Sequence, residues 1–216
     1  MKRLFAFLVC ALCAFMLFAC DKPSENGGNN GEGSEGNGGT PSGSETLDKA
    51  LDAKYKGIAK DKNIYLTTIG QGEIETIELF FDDLDLVAGT DYVKKNTLTA
   101  DEVEEGSVVF IVVGTSSKGL GAAGVKLNQE VDRANAFAEK EGVTLLVFHV
   151  GGTARRGDMS DPIIDIICPK ADLLLVVNSG NADGKFTNIA KDNNVDLYLF
   201  SVTAKLSPAI NALFDK

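Results

Sequence analysis

The chain has 216 residues, 44% of them hydrophobic, and a net charge of −10. This composition supports a hydrophobic core and excludes a chain that is disordered throughout. Nucleic-acid-binding proteins typically carry a basic surface, whereas the net charge of this chain is negative. We therefore expect no nucleic acid partner. Cys168 and His149 are the only cysteine and histidine after residue 46. A zinc site built from several such ligands is therefore excluded, and no metal is expected.

Residues 1–20 have the pattern of a bacterial lipoprotein signal. A short basic start precedes an apolar run over residues 4–18, which is shorter than the ~20 residues that a transmembrane helix needs. The run ends in Leu17-Phe18-Ala19-Cys20, which resembles a lipobox, where the cysteine carries the lipid. We therefore expect a cell-membrane protein that is anchored by lipid (palmitate) on Cys20 and faces the extracytoplasmic side. A simple signal peptide or an N-terminal anchor is the alternative.

Residues 21–46 predict a disordered tether. They contain eight glycines and hardly any hydrophobic side chains, so nothing there offsets the entropy of ordering. A flexible linker of this length spans about 28 Å root-mean-square. The remaining residues, 47–216, predict a single domain.

Five apolar runs predict the strands of that domain. They are Ile64–Ile69, Val108–Val113, 143–150, Leu173–Val177 and 195–202. The middle three are nearly continuous in Val, Ile, Leu and Phe, which is typical of central parallel strands covered on both faces. The polar segment 91–95 predicts a short edge strand.

Helical spacing of apolar residues links these runs. It gives four stripes: Ile74, Ile77, Phe81 and Leu84; Ala123, Leu127, Val131, Ala134 and Ala138; Phe186, Ile189 and Ala190; and Leu206, Ile210, Leu213 and Phe214. Pro162 and Pro208 each follow a cap residue at a predicted helix start, and Thr99 to Glu102 has the pattern of a capping box. A further helix over residues 47–60 is predicted to pack on the rim of the sheet.

The alternation of strand and helix predicts an α/β fold. It indicates a three-layer sandwich around a mostly parallel sheet of five or six strands, with right-handed crossovers. Both flavodoxin-like and Rossmann-like winding fit, and the strand order is left open.

The loops after the strands predict a ligand site. Ligands of such sheets bind beyond the carboxyl ends of the strands, and four of the five loops there carry a basic residue in an otherwise acidic domain. We expect a small anionic or polar ligand, with the basic residues as charge partners and loop amides as donors. The candidate ligand-binding residues are Gln71, Ser116, Ser117, Lys118, Gly119, Gly121, Arg155, Arg156, Asp158, Asn178, Asn181 and Lys185. The alternative is that these loops need glycines and caps only for turning.

The run Gly119-Leu120-Gly121-Ala122-Ala123-Gly124 matches the letters of a dinucleotide fingerprint. In a dinucleotide site the motif follows the strand directly, with an acidic residue about 20 positions on. Here five residues intervene after the strand, and no acidic residue ends the next strand. The motif therefore predicts an anion-binding loop or a glycine-rich turn, and no cofactor is expected.

His149 is a candidate general base at the end of its predicted strand. Ser116 or Ser117 and Asp158 or Asp161 could complete a nucleophile, base and orienting group, although no nucleophile-elbow spacing supports them. A histidine at a strand end can equally well pack or satisfy a hydrogen bond. Cys168 follows two isoleucines and is interpreted as a small buried hydrophobic residue.

Three segments carry a resemblance to a known family. TSSKGLGAAG, HVGGTARRGDMSD and NSGNADGKFT together resemble an uncharacterised family of exported bacterial domains, many of them lipoproteins. The resemblance covers most of residues 63–215. It implies a Rossmann-like or flavodoxin-like sandwich in an exported, anchored protein, and it raises the expectation that the three loops form one site. It implies no activity.

Three functions are compatible with these patterns. The first is a membrane-tethered lipoprotein that binds a small anionic or polar molecule. The second is an exported hydrolase or transferase that uses the same crevice with His149 as base. The third is an adaptor whose loop face binds another envelope protein.

Overall fold

The computed structural model describes residues 46–216. The predicted signal peptide, Cys20 and all of the predicted tether except Thr46 lie outside the described residues. The strands are β1 (Ile64–Ile69), β2 (Val93–Lys94), β3 (Val108–Val113), β4 (Thr144–His149), β5 (Leu173–Val177) and β6 (Asp196–Phe200). The α-helices are α1 (Ile74–Asp82), α2 (Ser117–Ala123), α3 (Leu127–Ala138), α4 (Asp161–Ile167), α5 (Lys185–Asn193) and α6 (Ser207–Leu213).

The six strands form one parallel sheet in the order β2-β1-β3-β4-β5-β6. The predicted α/β sandwich is confirmed, with six strands and all of them parallel. The first five strands have the flavodoxin-like order. The chain places β2 on one side of β1 and every later strand on the other side. The strand order therefore reverses between β1 and β3, which is where ligands bind in sheets of this kind.

Helices cover both faces of the sheet because the strands are apolar on both faces. All residues of β1, β3 and β5 are buried. Helices α1 and α6 pack on one face, around Phe110 and Phe148. Helices α3, α4 and α5 pack on the other face, around Ile111, Val147 and Leu174.

The helix expected over residues 47–60 is not formed. Only Ala53–Tyr55 makes a single 3-10 turn, because Lys56 is extended and Gly57 has a left-handed φ of 71°. Tyr55 and Ala59 are nevertheless buried in the same cluster as α6. The segment thus covers the rim as predicted, but mostly as turns.

The apolar stripe expected from Ala123 to Ala138 belongs to two helices. Helix α2 ends at Ala123, and Gly124 follows as a left-handed C-cap with a φ of 67°. Helix α3 begins only at Leu127. Two smaller expectations are confirmed: β2 lies within the edge strand predicted over 91–95, and Thr99 to Glu102 form the capping box of one helical turn.

Two features are absent from residues 46–216. No helix in that range is long and apolar enough to cross a bilayer. The same range contains no group of three or more His, Cys, Asp or Glu side chains that could hold a metal ion.

Candidate functional site

A cleft of about 800 Å³ lies at the reversal of strand order, and we call it the switch-point cleft. It is bounded by the loops that follow β1, β2 and β3, by helices α1 and α2, and by one residue from the loop after β4. Its lining residues are Gln71, Gly72, Glu73, Glu75, Asn96, Thr97, Ser116, Lys118, Gly119, Ala122, Ala123 and Arg155. Five of the sequence-predicted ligand residues are therefore gathered here: Gln71, Ser116, Lys118, Gly119 and Arg155.

The loop after β1 is held in an unusual backbone conformation. Gln71 is left-handed, with a φ of 61°, which is uncommon for a residue other than glycine. Its side-chain amide donates to the carbonyl of Asn96 at 3.1 Å and to Glu130 Oε1 at 3.3 Å. The backbone N–H of Gly70 donates to Glu130 Oε2 at 2.7 Å. A single acidic side chain on α3 thus holds the floor of the cleft.

Glu130 is paired with Arg133 in the interior. Glu130 is fully buried, and Arg133 Nη1 donates to both of its carboxylate oxygens, at 2.9 and 2.8 Å. Arg133 also donates to the carbonyl of Leu98 at 2.8 Å and to Thr67 Oγ1 at 3.1 Å. The pair therefore links α3 to β1 and to the segment after β2.

Glu130 and Arg133 were not among the site residues predicted from the sequence. The available signal was position: Glu130 is three residues after Leu127 and four before Ala134, so it lies on the buried face of an amphipathic helix. A charged residue on such a face indicates a buried partner. Glu73, Glu75, Asn96 and Thr97 are further lining residues that the sequence did not single out.

Gly119 permits α2 to lie directly on the β1 loop. A Cβ at this position would come within 2.4 Å of the carbonyl oxygen of Gln71. Gly121, two residues on, has open space around it. The glycine motif therefore forms a short helix and its C-cap at Gly124, not an open anion-binding loop, and its first glycine serves a close backbone approach.

Arg155 and Glu73 form an ion pair at one side of the cleft. The guanidinium Nε contacts Glu73 Oε1, without the geometry of a hydrogen bond. Glu73 Oε2 is buried and has no hydrogen-bond partner among residues 46–216. The aliphatic part of Arg155 packs over Gly114, where β3 ends.

Two other charged residues of the lining, Glu75 and Lys118, are exposed. No ion pair involves either of them in the part of the chain that the structure describes. Ser116, beside Lys118, accepts a hydrogen bond from the N–H of Gly119 at 3.1 Å and so caps α2. Outside the Glu73–Arg155 pair, the described lining of the cleft thus presents one carboxylate and one ammonium group to a ligand.

Arg156 and Lys185 lie in a separate ion-pair cluster. Arg156 donates to Asp161 and Asp183, with shortest distances of 2.8 Å to each, and also to the carbonyl of Gly180. Lys185 contacts Asp165 at 2.6 Å and Asp161 at 3.9 Å. Arg156 and Lys185, although predicted as ligand residues, therefore do not line the switch-point cleft and are paired with protein carboxylates.

The ion pairs shift the titration of this cluster. The hydrogen bond from Arg156 to Asp183 lowers the pKa of this carboxyl group to about 2. The hydrogen bond from Arg156 to Asp161 likewise lowers the pKa of Asp161. Hydrogen bonding to Asp161 in turn raises the pKa of the Arg156 guanidinium. Arg156 also lies over the ring of Phe186, 5.4 Å from its centroid. The cluster fastens the loop after β4 to the loop after β5.

The remaining predicted ligand residues do not line the cleft. Asn181 is buried, and its Oδ1 accepts a hydrogen bond at 2.9 Å from the backbone N–H of Phe186, in the first turn of α5. Ser117 donates to the sulfur of Met159 at 3.7 Å. Asn178 begins a 3-10 turn, and Asp158 and Gly121 are exposed.

His149 is fully buried at the end of β4. Its exposed fraction is 0%, its Nδ1 lies 3.0 Å from the carbonyl oxygen of Val113, and its Nε2 lies 3.1 Å from that of Gly152. Burial lowers its pKa, against the opposing effect of these two carbonyls. No hydrogen bond joins it to the candidate serines or aspartates in the described chain. The arrangement expected of a general base with a nucleophile is thus not formed.

Cys168 is fully buried, and burial raises the pKa of its thiol, as expected of a core residue.

Comparison with known proteins identifies the family. A family model, described as a domain of unknown function (DUF6305), matches residues 61–214. No curated protein and no solved structure matches the chain. The matched range contains all six strands and every residue of the switch-point cleft. The chain therefore belongs to the DUF6305 family of domains of unknown function.

Proposed function

We propose that this protein is a membrane-anchored, extracytoplasmic lipoprotein whose domain binds a small anionic or polar ligand in the switch-point cleft. One observation carries the binding part of this proposal: a polar cleft of about 800 Å³ at the reversal of strand order. Small-molecule sites commonly have volumes of roughly 300–1,000 Å³, and sheets of this class bind ligands at that position.

The construction of the cleft floor supports the same function. Gln71 is held in a left-handed conformation that costs free energy, and a buried ion pair fixes the loop that carries it. Neither feature is needed to close a parallel sheet. Such costs are typical of sites in which donors and acceptors must be held in place for a ligand.

Gly119→Ala should abolish retention of a ligand. The new methyl group must displace either α2 or Gln71, since it would lie 2.4 Å from a backbone oxygen. Overpacking of this kind costs about 1–3 kcal/mol and would deform the cleft. Native mass spectrometry of the full chain as purified should show a small molecule bound to the wild type and absent from Gly119→Ala.

Gly121→Ala is the matched control for that experiment. It adds the same methyl group to the same helix where there is open space, so it should keep the ligand and gain up to ~1 kcal/mol of stability. Equal retention by both variants would place the ligand elsewhere. A wild type that carries no small molecule and binds none on addition would refute the binding function.

Cys20→Ala should release the protein from the membrane or leave it unprocessed. Cys20 is the residue at the predicted lipid attachment point, so its loss removes the anchor. Metabolic labelling with palmitate and detergent partitioning measure the change. Cys13→Ala, within the predicted signal peptide, should keep both label and partitioning. Unlabelled wild type that still fractionates with membranes would count against a lipoprotein.

A further inference from the structure

The charges on the switch-point cleft are balanced in a particular way. Glu73 and Arg155 neutralise each other within the lining. Glu75, in the first turn of α1, and Lys118, in α2, line the same cleft without pairing with each other. The switch-point cleft therefore has a positive charge on one side and a negative charge on the other.

This arrangement disfavours a ligand of one charge. A simple anion attracted to Lys118 would also meet the repulsion of Glu75, and a simple cation would meet the reverse. A molecule that carries both charges at separate ends satisfies both side chains at once. Each contact would be a charge-assisted hydrogen bond, which is stronger than a neutral one.

The uncharged lining residues fit the same ligand chemistry. Both amide hydrogens of Gln71 are already donated, one to Asn96 and one to Glu130. The side-chain group of Gln71 that remains for a ligand is therefore the carbonyl oxygen of its amide. This oxygen is an acceptor suited to an ammonium group. Gln71 lies in the loop after β1 and Glu75 in the first turn of α1, which follows that loop, whereas Lys118 lies in α2, after β3. Acceptors thus come from one side of the reversal and the cationic donor from the other.

We infer that the ligand of the switch-point cleft is a zwitterion that carries an ammonium and a carboxylate group, as an amino acid or a short peptide does. This inference rests on the proposed binding function. The ammonium group lies against Glu75 and the Gln71 carbonyl oxygen, and the carboxylate binds Lys118. A cleft of about 800 Å³ has room for either source of this chemistry.

Titration calorimetry on the full chain tests the inference. The probes are the proteinogenic amino acids, one by one, and the dipeptides alanyl-alanine and alanyl-glutamine. For any probe that binds, the N-acetyl and the C-amide derivatives are the matched analogues, each lacking one of the two charges. We expect each derivative to bind about tenfold or more weakly than the unmodified probe. Binding by amino acids alone or by dipeptides alone distinguishes the two sources.

Two variants assign the ends of the ligand. Lys118→Met should weaken the unblocked probe about tenfold yet leave the affinity of its C-amide unchanged, because that analogue has no carboxylate to lose. Glu75→Gln should also weaken binding of the unblocked probe about tenfold. It should leave the affinity of the N-acetyl analogue unchanged, because that analogue has no ammonium group to lose. Lys170→Met and Glu139→Gln change exposed residues that do not line the cleft and should have no effect.

The outcomes separate this inference from the binding function. If sulfate or succinate binds in the cleft as tightly as any zwitterion, and Glu75→Gln strengthens that binding, the zwitterion is wrong and the binding function stands. If a zwitterion binds but its affinity is indifferent to both variants, the inference is also overturned. If no probe binds and no small molecule is retained on purification, both proposals fail.

Discussion

Arg133→Met should lower the free energy of unfolding by about 3–5 kcal/mol. It leaves the Glu130 carboxylate fully buried without its cation, and breaking one side of a buried ion pair costs about this much. Urea denaturation at neutral pH measures the change. Because Glu130 also holds Gly70 and Gln71, the variant should lose ligand binding too.

Two controls separate the buried charge from the loss of a side chain. Glu130→Gln combined with Arg133→Met removes both charges and should be more stable than Arg133→Met alone. Lys49→Met breaks an ion pair of the same spacing, Lys49–Asp52, whose side chains are 58% and 49% exposed. That change should have little effect on the free energy of unfolding, because solvent screens this exposed pair. A double variant that is less stable than Arg133→Met would contradict the account.

Arg156→Ala should lower the free energy of unfolding by about 1–3 kcal/mol. Its side chain is only 10% exposed and binds two carboxylates and a backbone carbonyl. The figure is at the low end for buried pairs because solvent reaches Asp183, which is 60% exposed. The sequence predicted Arg156 as a ligand contact, whereas the partners that the structure gives it are protein groups.

The stabilisation by Arg156 should depend on pH in one direction. Asp161 and Asp183 have pKa values lowered by Arg156, to about 2 for Asp183, so their contribution is present above the ordinary carboxyl pKa of 3.8. It is lost as the pH falls toward about 2, since protonation then removes both charges. The difference between wild type and Arg156→Ala should therefore shrink between about pH 5 and pH 2. A difference that stayed constant over that range would show that packing on Phe186 carries the effect.

The strands were predictable because strands that are buried on both faces have locally apolar sequences. The run Val108–Val113 has no polar residue, which is typical of a strand covered on both faces. The break at Gly124 was missed because Ala123 continues the apolar spacing of α3 by coincidence. A glycine in a helical pattern is tolerated often enough that its left-handed φ is not evident from the sequence alone.

The site was predictable in place but not in detail. Topology alone brings the loops after β1 and β3 together, so Gln71, Ser116, Lys118 and Gly119 were found. Which arginine stays near the cleft depends on partners far along the chain. Arg156 pairs with Asp183, which follows the next strand, and no local pattern reports that contact.

The parallel arrangement of all six strands also bears on how the chain folds. No two neighbouring strands are joined by a hairpin, so every pairing must close a long loop before it gains any hydrogen bonds. Strand β3 pairs on both sides, with β1 and β4, and both partners arrive through crossovers. Until they do, its sequence VVFIVV has two unpaired edges and two apolar faces. This apolar segment of β3 is therefore prone to pair with other chains until both of its neighbouring strands are in place.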